Sequence, residues 1–232
     1  MPVMPRHGFF ASLLALGASG TAAALADEPP MRPATEIAFA SEARSGHFRH
    51  YEVFSARRVS NGDVLAFMGN ALNGYQFGWE EGAGTFHPAA VLYGTASTIA
   101  LDDWAWDEYR LRELLARLGD PVTIATHPSG NPFSRPTSAL RLDDDPNNEE
   151  GFYHDRSIVA LRKRGAAFYA CNNAVRLIAK QLIATHQTDE TDIGKLHATL
   201  RSHLVQGATL VPAGVIAVSA LQEKGYTLFP AS

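Results

Sequence analysis

"AAFYACNNAVRLIAKQL", residues 166–182, decides the fold. A short run of small and aromatic apolar residues stops at Cys171, two asparagines follow, and a helical pattern begins. Such a run, too short for a helix and without polar alternation, is what a strand covered on both faces looks like. Behind it Ala174, Val175, Ile178, Leu182 and Ile183 recur at helical spacing, which predicts a helix over 172–185 with those residues inward. A buried strand passing directly into a helix is half of a βαβ unit.

The same alternation extends outward in both directions. Downstream, "DIGKLHATLRSHLVQG" contains a helix marked by Leu196, Leu200 and Leu204. "ATLVP" is a strand, "AGVIAVSALQEKG" a helix ending at Gly225, and "YTLF" a last strand. Upstream, "DRSIVALRKRG" (155–165) is a helix stopped by Gly165, and "PAAVLYGTA" (88–96) is an apolar strand. "DDWAWDEYRLRELLARLG" (102–119) predicts one helix, capped by Asp102 or Asp103 and ended by Gly119. Its inward stripe is Leu111, Leu114, Leu115 and Leu118 with Trp104. "GDVLAFMG" (62–69) reads as a buried strand through Val64, Leu65, Phe67 and Met68, with "NALNGYQFG" as the loop after it.

Strands alternating with helices predict a single α/β domain over 61–232, with a parallel sheet and helices on both faces. A Pro-rich leader and a first element precede it over 27–60. The segment 120–151, rich in Pro, Ser, Asn and Asp, is a long loop insertion. Its "DDDPNNEE" run lacks the 12-residue spacing of a calcium loop and reads as a solvated turn. In parallel sheets, sites form beyond the carboxyl ends of strands. Three loops are candidates: Gly69–Gly74, Gly94–Ser97 and Cys171–Asn173. They offer Gly69, Asn70 and Asn73, then Gly94 and Thr95, then Cys171 with Asn172 and Asn173.

The whole chain bounds these readings. Its 232 residues are 46% hydrophobic, which suits one sizeable core. A formal charge of −4 without a basic stripe argues against nucleic acid as a partner. Arg162, Lys163 and Arg164 read as a solvated helix end. Residues 1–26 have the three-part pattern of a secretory signal: Arg6 and His7, the apolar "GFFASLLALGA", and small residues at Ala24-Leu25-Ala26. "PRHGFF" resembles a twin-arginine motif with His7 in place of the second arginine. The expectation is export to the periplasm, by the general or a degenerate twin-arginine route, with no membrane span in the mature chain.

Export sharpens the question of the one cysteine, which cannot form a disulfide within its own chain. If Asn172 or Asn173 caps the helix, its N–H groups and the positive end of its dipole favour the thiolate, and the thiol is expected to be reachable by solvent. The alternative is a small buried hydrophobe.

A resemblance bears on this choice. "GAAFYACNNAV", followed by "GATLVPAGVIAVSALQEKGYTLFPAS", is similar to the DsrE/DsrF-like family of sulfur-relay proteins. The shared pieces are the strand ending in Cys171, the turn Val211-Pro212-Ala213-Gly214-Val215, Leu221-Gln222 and Gly225-Tyr226. "VLAFMGNALNG" resembles the family's first strand and loop, and "AAVLYGTASTIAL" its second strand. The resemblance covers most of residues 62–230. It implies a flavodoxin-like sheet, a homo-oligomer, and Cys171 as the sulfur-carrying cysteine. Its partners would be a small thiol or a sulfur-donor or sulfur-acceptor protein. Asn70 and Asn73 would line the facing loop.

Other constellations are weak. Of nine histidines, His127, His154 and His186 are widely spaced, His197 and His203 are six apart, and His47 and His50 lie in the N-terminal segment. None makes a helical metal pair, so no metal is expected. "GTAST" is not a nucleophile elbow, "EGAGTF" does not open a helix, and no cofactor is implied. Trp104, Trp106 and Tyr109 read as core or interface. Two functions stand side by side: a persulfide or thiol-redox protein acting through Cys171, and a non-catalytic ligand-binding or assembly subunit in which Cys171 packs.

Overall fold

Five short strands form the sheet in this computed structural model, which describes residues 48–123, 129–135 and 157–231. They are β1 (His50–Ala56), β2 (Phe86–Leu92), β3 (Ala167–Cys171), β4 (Ala208–Val211) and β5 (Thr227–Pro230). Every pairing is parallel, in the order β4-β3-β2-β1-β5. β2 and β3 are buried along their whole length, which is why they read as unbroken apolar runs. Seven α-helices are described: α1 (Asp63–Asn73), α2 (Asp103–Glu108), α3 (Leu111–Arg117), α4 (Ile158–Lys163), α5 (Asn172–Ala184), α6 (Ile193–Ser202) and α7 (Gly214–Glu223). The chain has a single-domain flavodoxin-like α/β fold.

The strand order divides the helices unequally. β1 to β4 are laid side by side in sequence, and right-handed crossovers place the helices between them on one face. Phe54, Ala90, Leu92, Phe168 and Ala170 point into this larger core, against α1, α3, α5 and α6. The step from β4 to β5 runs back across the sheet, so α7 lies on the other face. There Ala217 and Leu221 cover Val53, Ala89, Val91 and Tyr169. Each fully buried Phe or Leu of this kind stabilises the fold by roughly 1.5–3 kcal/mol.

Two sequence expectations need correction. Residues 62–69 are not a strand, and "NALNGYQFG" is not a loop. The chain turns at Gly62 (φ +82°), and α1 runs from Asp63 to Asn73, followed by a π-helical turn over Gly74–Gly78. Val64, Leu65, Met68 and Leu72 are buried, and their spacing matches one face of a helix. The strand beside β2 is instead "HYEVFSA", inside the segment read as leader and first element. The second correction concerns 102–119. Asp102 does cap it, its side chain accepting from the Ala105 N–H at 2.9 Å. However, Arg110 adopts a left-handed conformation (φ 44°, ψ 51°) and splits the segment into α2 and α3. Trp104 therefore leaves the leucine stripe, lies 43% exposed, and stacks on His203 at 3.9 Å.

The signal pattern of 1–26, the leader up to His47, the acidic run 143–150, and His127 and His154 lie outside the described residues. Among the described residues no helix is long and apolar enough to cross a membrane.

Candidate functional site

Cys171 is both the last residue of β3 and the N-cap of α5. The ladder runs up to it, in register with Val211 of β4. The helix starts at the next residue, so neither asparagine has room to be the cap. Here the expected Asn172 or Asn173 cap is replaced by Cys171 itself, which makes no side-chain cap bond. The helices that follow β3 and β4 leave for opposite faces. That divergence opens the crevice where parallel sheets place ligands, and Cys171 stands at its edge.

The thiol is nevertheless buried, with 5% of the residue exposed, contrary to the expectation of a solvent-reachable group. Alternation along β3 sets it on the α7 side with Ala167 and Tyr169. α7 is seated closely at that end: a Cβ on Gly214 would come within 2.9 Å of the Tyr93 Cβ.

The two asparagines have separate roles. Asn172 is buried, and its Oδ1 lies 3.0 Å from Nε2 of the fully buried His197. That pair ties the first turn of α5 to α6. Asn173 is exposed beside the thiol-bearing residue.

Gly94 and Thr95 open a 3-10 turn (Gly94–Ala100) at the carboxyl end of β2. Gly94 has φ +57°, and a Cβ there would sit 2.5 Å from the Arg57 carbonyl oxygen, so only glycine fits. The Thr95 hydroxyl donates to Asp120 Oδ2 at 2.5 Å. Asp120 is buried and also accepts from the Val59 N–H (2.6 Å) and the Ser60 N–H (3.0 Å). One carboxylate thus clamps the loops after β1 and β2 to the end of α3. Around this clamp lies a cleft of about 390 Å³, walled by Arg57, Arg58 and Thr95 on one side and by Leu118, Leu177 and Gln181 on the other. Cys171 is not among its lining residues.

Gly69, Asn70 and Asn73 are not brought to this end. They lie on α1, which leaves the carboxyl end of β1 and runs back toward the amino end of the sheet. Asn73 is buried and accepts from Arg164 Nη1 at 2.7 Å. The next turn stacks Tyr75 on Phe86, the first residue of β2. The expected facing loop therefore does not form, because the segment is helical. A second cleft of about 390 Å³ occupies that amino end, among Phe48, Tyr75, Lys163 and Arg164.

Sequence reasoning missed Asp120 and His197. "GD" after a helix is an ordinary turn signal, and His197 sits on a helix face with no spacing that marks it. Among the described residues no group of His, Cys, Asp and Glu is placed to hold a metal ion. No family model, no curated protein and no solved structure matches the chain. Fold and site define a flavodoxin-like α/β protein with a buried cysteine at a strand-to-helix junction and a separate open cleft at the carboxyl ends of β1 and β2.

Proposed function

We propose that this chain is an exported, DsrE-like protein that carries sulfur as a persulfide on Cys171 or exchanges thiols there. The observation that supports this most is the position of Cys171, at the carboxyl end of β3 and immediately before the thirteen-residue helix α5. The first-turn N–H groups of α5 lack intrahelical partners and lie next to the residue whose sulfur must bear negative charge.

In the loading step the Cys171 thiol gives its proton to solvent. The thiolate attacks the outer sulfur of a persulfide donor. A new S–S bond forms on Cys171, the donor's S–S bond breaks, and the electron pair leaves on the donor thiolate. Delivery to an acceptor thiol reverses these roles, with no net oxidation. With one cysteine in the chain, the second sulfur comes from a small thiol or a partner protein. Burial of the thiol requires the seat of α7 to open for each transfer.

Mass spectrometry after exposure to a persulfide donor tests this. Wild type is expected to gain one sulfur, and Cys171→Ser none while keeping its fold. Wild type that takes up no sulfur from any donor tried rejects the reading.

A second reading is favoured by the buried thiol and the separate open cleft. Here the protein is a non-catalytic binding or assembly subunit and Cys171 is packing. Alkylation that proceeds only in denaturant supports it. Either reading accommodates a homo-oligomer, since Val215 and Ile216 of α7 and Leu228 of β5 are exposed. Light scattering across micromolar concentrations is expected to give more than the monomer mass.

A further inference from the structure

We infer that the cleft at the carboxyl ends of β1 and β2 is a binding site for a monoanionic organic acid with an apolar tail. Three observations meet there. The first is charge. Arg57 and Arg58 both line the cleft, whose one carboxylate is Asp120. Arg58 is engaged: it donates to the Gly119 carbonyl and lies 3.7 Å from Asp120 Oδ1. Asp120 is also held by two backbone N–H groups and the Thr95 hydroxyl. The Arg57 guanidinium, in contrast, has no hydrogen bond or ion pair among the described residues. The cleft thus keeps one uncompensated positive charge, on a planar fork suited to a carboxylate.

The second observation is rigidity. Arg57 is an outer residue on a fixed backbone. Its carbonyl accepts from the Ala96 N–H at 3.2 Å, and the Tyr93 N–H donates to the Ala56 carbonyl at 3.0 Å. The loops after β1 and β2 are therefore stitched together at Arg57, so the backbone of the site is fixed before binding and only the arginine side chain remains to be ordered.

The third is the opposite wall. Leu118, Leu177 and Ile178 face the cleft, and Leu177 is 48% exposed although it belongs to a helix whose other apolar residues are largely buried. A wall that is apolar apart from Gln181, across from the Arg57 cation, favours an amphiphilic anion over inorganic phosphate or sulfate, which gain nothing from leucine. The volume lies within the range of ligand clefts. This site stands apart from the thiol reading, because no residue in it is needed for sulfur transfer.

Calorimetric titration of the full chain with butanoate, hexanoate and octanoate tests the inference, with 1-octanol as the uncharged control. Affinity is expected to rise about threefold to fourfold per added CH₂. Octanol is expected to bind at least about tenfold more weakly than octanoate. Arg57→Gln is expected to lower octanoate affinity by about tenfold or more, Arg57→Lys by less, and Leu177→Asp to abolish the chain-length dependence. Cys171→Ser is expected to bind like wild type. Octanol binding as tightly as octanoate, an Arg57→Gln protein that titrates like wild type, or no heat from any acid at millimolar concentration would each overturn it.

Discussion

Single residues at the carboxyl end of the sheet carry most of what can be tested. Gly94→Ala puts a methyl group where the Arg57 carbonyl stands at 2.5 Å, on a backbone with positive φ. The expected cost is about 1–3 kcal/mol, read as a lower urea midpoint, and octanoate affinity should fall with it because the floor of the cleft shifts. Asn172→Ala removes the side-chain partner of His197 Nε2 inside the core. A loss of about 1–3 kcal/mol is expected, and a variant as stable as wild type would mean the pair contributes nothing. How far these residues were legible differs. The placement of Cys171, Gly94 and Thr95 at strand ends is legible because a strand end followed by small residues or a helix is a local pattern. Burial of the thiol was not legible, because it depends on α7, which is more than forty residues further along the chain. Asp120 could not be picked out either. Its importance comes from two loops that converge on it from distant parts of the sequence.

At the scale of elements, the misread segments share a cause. In 62–73 the apolar residues Val64, Leu65, Phe67 and Met68 are crowded enough to satisfy a buried strand, and only the addition of Leu72 reveals the helical face. "HYEVFSA" does not read as a buried strand because its half-buried amino end is partly polar, with His50 and Glu52 there. The break between α2 and α3 is a different matter. Nothing in "DEYRLREL" demands it. It arises because the Tyr109 and Arg110 carbonyls accept the side-chain amide of the buried Gln187, at 3.0 and 3.1 Å, which holds the chain in a turn there. Arg110 then occupies the left-handed position that glycine occupies most readily after a helix. Arg110→Gly should therefore stabilise the protein by roughly 0.5–1 kcal/mol. The exposed Arg110–Glu113 pair that it loses, 3.8 Å apart, is worth little. Chemical denaturation reads the gain directly. Equal or lower stability would show that the arginine is held without strain.

For the whole molecule, the parallel sheet was legible because βα alternation with short apolar strands leaves few other architectures. The strand order was not, since it depends on which way each crossover turns. Among the described residues that order leaves one face of the sheet with one helix, α7, and aromatic rings gather at the amino end of this face. His87 lies there, buried, with the Tyr226 hydroxyl 2.9 Å from its Nδ1 and Phe48 edge-on at 4.7 Å. Burial pushes its pKa below the ordinary histidine value, and a backbone hydrogen bond only partly offsets this. The consequence for stability has a definite sign. The unfolded chain takes up a proton near pH 6.5, whereas the folded chain resists it until the pH is lower. Stability is therefore complete above about pH 6.5. It falls as acid drives protonation of the unfolded state, until His87 in the fold also titrates. His87→Gln removes this term. Unfolding free energies from urea titrations at pH 7.5, 6.5 and 5.5 should fall more steeply with acid for wild type than for the variant, by at most about 1.4 kcal/mol per pH unit. Parallel slopes for the two proteins would show that protonation of His87 is not what the fold resists in acid.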